Sequence, residues 1–243
     1  MIHTRIAALV AAAALPLSAC NFANGMSGDV VQPSGQGGTR SFDVADFTGV
    51  SLRGADDVEV RTGAFAVTAQ GDSALLDKLE IRKDGSTLRI GRKDGDWNWG
   101  GDKGAKIIVT LPALASADIA GSGDMTIDQA KGDFDGAIAG SGNMTLASLA
   151  GGRADLSIAG SGDINLSAGT ASALDISIAG SGNVKAPGLK ADSADISIAG
   201  SGNVRAQVSG SADISLIGSG DVELTGGAKC NVTAMGSGEA RCS

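Results

Sequence analysis

The decapeptide DISIAGSGNV stands at Asp175–Val184 and again, unchanged, at Asp195–Val204, an offset of 20 residues. It belongs to a longer array of Gly-Ser-Gly-[Asp/Asn/Glu] elements whose first glycines are Gly121, Gly140, Gly160, Gly180, Gly200, Gly218 and Gly236, at intervals of 19, 20, 20, 20, 18 and 18. Counted from that glycine, positions −4 and −2 are apolar (Leu156/Ile158, Ile176/Ile178, Ile196/Ile198, Ile214/Leu216). So are +4 and +6 (Met125/Ile127, Met144/Leu146, Ile164/Leu166, Val222/Leu224). The odd positions are polar, with aspartate at −5, serine at −3 and Asp or Asn at +3. Period-two alternation specifies strands with one face in and one face out. Helical-hairpin repeats need 33 residues or more and propeller blades about 40, so neither fits. The expected fold is all-β: a parallel β-helix, or solenoid, with rungs of about 20 residues. Each rung would rise ~4.8 Å on the last and stack aliphatics in internal columns.

The core must then be aliphatic, and between Ala113 and Ser243 the only aromatic is Phe134. Residues 41–112 alternate less regularly and read as an irregular β section. In it, LEIRKDGSTLRI forms two strands around Asp84-Gly85, ALLDKLE one helical turn, and KIIVTLP a buried strand. Residues 113–243 are the repeat section of the same head domain.

The first 20 residues, MIHTRIAALVAAAALPLSAC, carry Arg5, an apolar run too short to span a bilayer, and small residues before Cys20. This is a secretory signal over residues 1–19. The ending LSAC resembles the lipobox of bacterial lipoproteins. That resemblance implies cleavage before Cys20, lipid attachment to its sulfur, and, with Asn21 next, delivery to the outer membrane of a Gram-negative envelope. Residues 20–40, rich in Gly, Ser, Asn and Gln, read as a flexible tether of roughly 25 Å.

Removing the signal removes His3, the only histidine, and the chain has no tyrosine. Serine–histidine relays and His-ligated metals are thereby excluded. Without Arg5 the balance is 18 basic to 27 acidic residues, or −9, which disfavours nucleic acid as a partner. Beyond Cys20 only Cys230 and Cys242 remain. In an exported chain they read as a disulfide, both at inward parity around Gly236, closing the last rung.

The ordered segments FTGVSLRGADDVEVRTG, LLDKLEIRKDGSTLRIGRK, IIVTLPALASADIAGSGDMTI and the iterated GSG[DN]V resemble the bacterial head domain called GIN, described as an auto-transporter adhesin. The resemblance spans about Val44 to Cys242. It implies a right-handed β-helix on an exported, often lipid-anchored protein, and no catalytic residues or cofactors. The insertion DGDWNWGGDKG departs from the family pattern.

Four features carry candidate chemistry. The +3 column (Asp124, Asn143, Asp163, Asn183, Asn203, Asp221, Glu239) could offer calcium oxygen ligands, with Asp124, Asp163 and Asp221 as candidates. The simpler reading is turn-forming Asx residues bonding the backbone. The −5 aspartates, Asp155, Asp175 and Asp195 among them, form a solvated face. Alternatively they supply the carboxylates of a carbohydrate-active lyase or hydrolase. A uniform column is what repeat duplication produces, and no rung breaks it. A −3 hydroxyl column, Ser157 to Thr233, lacks the paired threonines of an ice-binding face. Trp97 and Trp99 either contact a glycan or envelope protein or cap the solenoid. The expectation is a non-enzymatic structural or adhesive head, held to the membrane by lipid.

Overall fold

The computed structural model describes residues 26–93 and 104–243. The chain enters through three short strands, β1 (Asp29–Val30), β2 (Pro33–Ser34) and β3 (Thr39–Phe42). Strands β4 (Gly49–Gly54) and β5 (Asp57–Thr62) follow, then β6 (Ala66–Gln70), a helix α1 (Ser73–Lys78), β7 (Leu79–Asp84), β8 (Thr87–Arg92) and β9 (Lys106–Leu111). The repeat section begins with β10 (Ser116–Gly121), β11 (Met125–Ile127) and β12 (Ala130–Lys131). It continues with β13 (Phe134–Gly140), β14 (Met144–Ala150), β15 (Arg153–Gly160), β16 (Ile164–Ala171) and β17 (Ala173–Gly180). Two long strands that turn the corner without a break come next, β18 (Val184–Gly200) and β19 (Val204–Gly218). The chain closes with β20 (Val222–Thr225), β21 (Lys229–Gly236) and β22 (Ala240–Cys242).

These strands build a parallel β-solenoid. In one wall β10, β13, β15, β17, β18, β19 and β21 stack in sequence order, with every first glycine of the repeat element in register with the next. The second wall stacks β11, β14, β16, β18, β19, β20 and β22. Ile119, Ile138, Ile158, Ile178, Ile198 and Leu216 form one internal column, each buried, each the register partner of the next. Like side chains therefore pack on like, and the period of the sequence becomes the rise of the solenoid. The rung between Gly200 and Gly218 is shorter, and its missing residues are absorbed where register shifts fall, between Ala186 and Ser193.

The corner explains the glycines. The first glycine of each element has φ between +124° and +144°, and a Cβ on it would strike the carbonyl of the glycine one rung below, as Gly180 would strike Gly160. That carbonyl accepts N–H bonds from the Ser and the second Gly of the next rung, such as Ser181 at 2.9 Å and Gly182 at 3.2 Å. Positive φ and a backbone close below leave room for no other residue.

The N-terminal section obeys a different order. Strand β4 lies between β8 and β10, and β5 between β9 and β11. The first rung laid down in sequence is thus the second in space, and the chain leaves it to build the outer rung and then returns. Gly54-Ala55-Asp56-Asp57 occupies the repeat corner: Gly54 is the register partner of Gly121, and Val50, Leu52, Val58 and Val60 fill the inward positions. This rung carries GADD where the later rungs carry GSG followed by Asp, Asn or Glu.

Beyond β8 and β9 the sheet turns antiparallel. β7 pairs β8 and β1, while β6 pairs β9 and β3, which pairs β2. Residues 29–40, expected as tether, therefore pair into the head. Arg40, 9% exposed, donates from Nη2 to Asp77 Oδ1 at 2.7 Å and from Nη1 to the carbonyl of Gly37 at 2.7 Å, tying β3 to α1. Short polar strands carry no readable alternation, so the pairing here comes from the tertiary backbone and not from the pattern. Asp72 caps α1 by accepting the N–H of Ala74 at 2.9 Å.

Candidate functional site

The surface chemistry of this molecule is set by its outward columns. At each corner the Asx side chain lies directly above that of the rung before. Asp124 Oδ1 accepts the N–H of Asn143 at 2.9 Å and its Nδ2 at 2.9 Å, and Asn143 Oδ1 accepts the N–H of Asp163 at 3.2 Å. The pattern continues through Asp163 to Asn183, Asn183 to Asn203, Asn203 to Asp221, and Asp221 to Glu239. At its other end the N–H of Asp124 donates to Asp57 Oδ1 at 3.2 Å. This is a hydrogen-bonded ladder running the length of the solenoid, each rung's oxygen satisfying the next rung's corner amide. Between Asp124 and Asp221 asparagines stand next to each aspartate, and Asn143 and Asn183 supply amide donors where a second carboxylate would repel.

The calcium candidates are members of this ladder. Asp124, Asp163 and Asp221 each commit Oδ1 to the corner amide of the next rung. Among the described residues no cluster of three or more His, Cys, Asp or Glu has the arrangement of a metal site. Hydrogen bonds from Asn183 and the Lys185 ammonium, whose Nζ lies 3.0 Å from Oδ2, hold the Asp163 carboxyl below its usual range against a partial burial that raises it.

The −5 column is the acidic stripe. Asp135, Asp155, Asp175, Asp195 and Asp213 are successive register partners. Burial, and then the carboxylate of Asp155, push Asp135 above the ordinary carboxylate range. Burial likewise raises Asp175, while Arg153, its Nε 2.7 Å from Asp175 Oδ2, pulls it back. Asp118, in the −3 column, is raised by burial, with a bond to Ser51 opposing. Arg153 thus bridges two rungs, the expected remedy for stacked like charges. Asp155, Asp175 and Asp195 stand in an uninterrupted column. The concavity beside them, a shallow trough of about 560 Å³, is lined by the neighbouring Ser and Ala columns from Asp118 to Ile217.

The corner of the GADD rung also buries a polar group that the repeat pattern does not mark. Asp56 takes the second-glycine position of its rung, is 0% exposed, and accepts the N–H of Ala105 at 2.8 Å and Arg92 Nη2 at 3.0 Å. A side chain fits there because the rung below contributes Arg92 and Ala105 in place of a Gly-Ser-Gly corner. The clue in the sequence is the alignment of LRGADDVEV with IAGSGDMTI.

The remaining candidates fall in two groups. Cys230 and Cys242 form a disulfide with Cα atoms 6.6 Å apart, joining β21 to β22 in the last rung. Cys20, Trp97 and Trp99 lie outside the described residues. No helix among the described residues is long and apolar enough to cross a membrane.

Comparison with known proteins agrees with this architecture. The family described as "Putative auto-transporter adhesin, head GIN domain" matches residues 46–228. A putative adhesin from Bacteroides fragilis superposes with a TM-score of 0.79 at 23% identity, covering 88% of this chain and 100% of that one. A putative lipid binding protein from Parabacteroides distasonis gives 0.64 at 25% identity, covering 87% and 98%. A putative adhesin from Parabacteroides merdae gives 0.66 at 20%, covering 84% and 95%. No curated protein matches the chain.

Proposed function

Since the chain belongs to the family of auto-transporter adhesin head GIN domains, we propose that it is a lipid-anchored protein of the cell envelope whose solenoid head serves a non-enzymatic adhesive or structural role. The observation that carries this reading is the uniformity of the outward columns. The Asp, Ser and Ala files repeat over Asp155 to Asp195, Ser157 to Ser197 and Ala159 to Ala199 without a substituted rung. Such a surface offers the same group at each ~4.8 Å step. It suits contact with an extended or repetitive partner. An enzyme needs a pair of carboxylates set apart in a groove, about 5–9.5 Å from one another.

The anchor rests on LSAC at Leu17–Cys20 and the short apolar run before it. Two or three acyl chains, at ~0.8 kcal/mol per buried CH₂, give stable membrane attachment. With Asn21 and not an aspartate after the cysteine, delivery to the outer membrane is the default. Trp97 and Trp99 are the proposed contact residues for a glycan or an envelope protein, since Phe134, the one aromatic between Ala113 and Ser243, is buried and cannot stack on a sugar. The lipid-binding description of the Parabacteroides distasonis relative accords with a membrane-side location.

Fractionation tests the anchor. The wild type sediments with outer membranes and Cys20→Ser becomes soluble; unchanged fractionation of Cys20→Ser refutes it. Binding to envelope glycans and extracts tests the head. The Trp97→Ala/Trp99→Ala variant loses capture while keeping its fold, and equal capture by both proteins removes the tryptophans from the account.

A further inference from the structure

The two ends of the solenoid are built on opposite principles. At the N-terminal end both walls terminate in antiparallel strands, and the outermost edges are β1 and β2, two residues each, with Asp29 on one and Pro33 on the other. Short strands, charge and proline are what sheets use to prevent edge pairing. At the C-terminal end, among the described residues, nothing pairs with the outer edge of β21 or β22. β21 is eight residues long, has no proline, and exposes Val232 (43%) and Met235 (67%).

Toward this rung two outward columns change their chemistry, the −5 file and the −1 file. The −5 aspartates end in Asn231, whose Nδ2 donates to Asp213 Oδ1 at 3.0 Å. The −3 serines end in Thr233. The −1 alanines, Ala159, Ala179 and Ala199, give way to Ile217, 57% exposed, and then Met235. Each repeat strand of this wall from β10 to β19 carries an aspartate; β21 carries none and has Lys229 as its sole charge. In β22 the neighbouring Arg241 pairs with Glu239 at 2.7 Å. On an acidic protein, net −8, this is the surface where two copies meet without acid opposing acid.

We propose that the C-terminal rung pairs with the C-terminal rung of a second copy, β21 antiparallel to β21 about a two-fold axis. The edge is self-complementary. In the register centred on Val232, inward residues face inward residues, Val232 against its mate and Cys230 against Ala234, while Lys229 faces Met235 and no like charges oppose. The two open cores become one continuous core, and the free edge groups are satisfied by the mate. The capped N-terminal end stops further addition, so assembly closes at two. The contact comprises about one rung per partner, fewer residues than the roughly 20–30 of a standard interface, so the pairing is reversible.

Sedimentation velocity of the purified protein, from low to high micromolar concentration, tests this. The expected result is a monomer–dimer equilibrium. Val232→Lys and Met235→Lys, both at exposed positions, each weaken it roughly tenfold or more through like-charge contact across the axis. Ala179→Lys, on the trough wall, leaves it within about twofold. Hydrogen exchange of the β21 amides slows as concentration rises. A monomer at every concentration, species larger than a dimer, insensitivity to both lysines, or dissociation by Ala179→Lys would each overturn the proposal.

Discussion

The repeat walls from β10 to β22 and the N-terminal section from β1 to β9 use the same inward alternation, yet they are held by different forces. In the repeat walls sequence order is spatial order, polar groups sit outside, and glycine backbones stack at a distance that excludes any Cβ. In the N-terminal section the rungs are out of order, antiparallel strands and α1 close the end, and a carboxylate is buried. The difference shows that stacking alone propagates a solenoid but cannot begin one. The first rung needs a lower face, and the chain supplies it by returning beneath β4 and β5 with β8 and β9.

Glycine substitutions break the comparison most sharply. Gly180→Ala places a Cβ against the Gly160 carbonyl at φ +136°. The cost is about 3–5 kcal/mol, from backbone overlap and strain together. Gly54→Ala, at φ +119° with nothing within 4 Å of the new Cβ, bears strain alone, about 1–2 kcal/mol. Urea denaturation of the two variants measures both, and equal losses would mean that stacking does not constrain the corner.

Asp56→Ala comes next. It takes the acceptor from the Ala105 N–H and the carboxylate from Arg92, at a cost of about 3 kcal/mol. Asp124→Ala, on the exposed ladder, costs about 1 kcal/mol. Thermal unfolding compares them. Opening the Cys230–Cys242 bridge by Cys→Ser at both positions removes a constraint across a sequence separation of 12, about 2–3 kcal/mol. Limited proteolysis should show the effect confined to β21 and β22.

The smallest effect depends on pH. Asp135 has its folded pKa above the ordinary value of 3.8. The folded state holds that proton more tightly than the unfolded state, so this group's contribution to stability falls as pH rises from 3.8 through the raised value. Asp135→Asn therefore stabilises slightly at neutral pH, an effect kept small by solvent screening of this exposed group and read as a small rise in Tm. The gain disappears in acid below the unfolded pKa. A gain that persisted there would assign the effect to packing.

The periodicity made the repeat walls legible because each residue's neighbours are copies of itself. Ile158, Ile178 and Ile198 had to stack once the interval was 20. The ladder was visible as a column of Asx residues, but its bonding direction, side-chain oxygen to the next rung's amide, depends on the corner geometry. What stayed hidden lies where the copies diverge. GADD at Gly54–Asp57 carries the corner without the motif. The pairing of Asp29–Arg40 comes from backbone bonds to strands distant in sequence.

The intercalated rung is the central structural claim, and one cross-link tests it. Arg53 and Ala120 are register partners in adjacent parallel strands, at a spacing within the ~4.4–6.8 Å Cα range of a disulfide. The Arg53→Cys/Ala120→Cys variant closes that bridge within one chain on mild oxidation, identified by peptide mass, and retains its β-sheet spectrum. Failure of the two thiols to join in the folded protein would show that β4 does not lie against β10, and the order of rungs described above would be wrong.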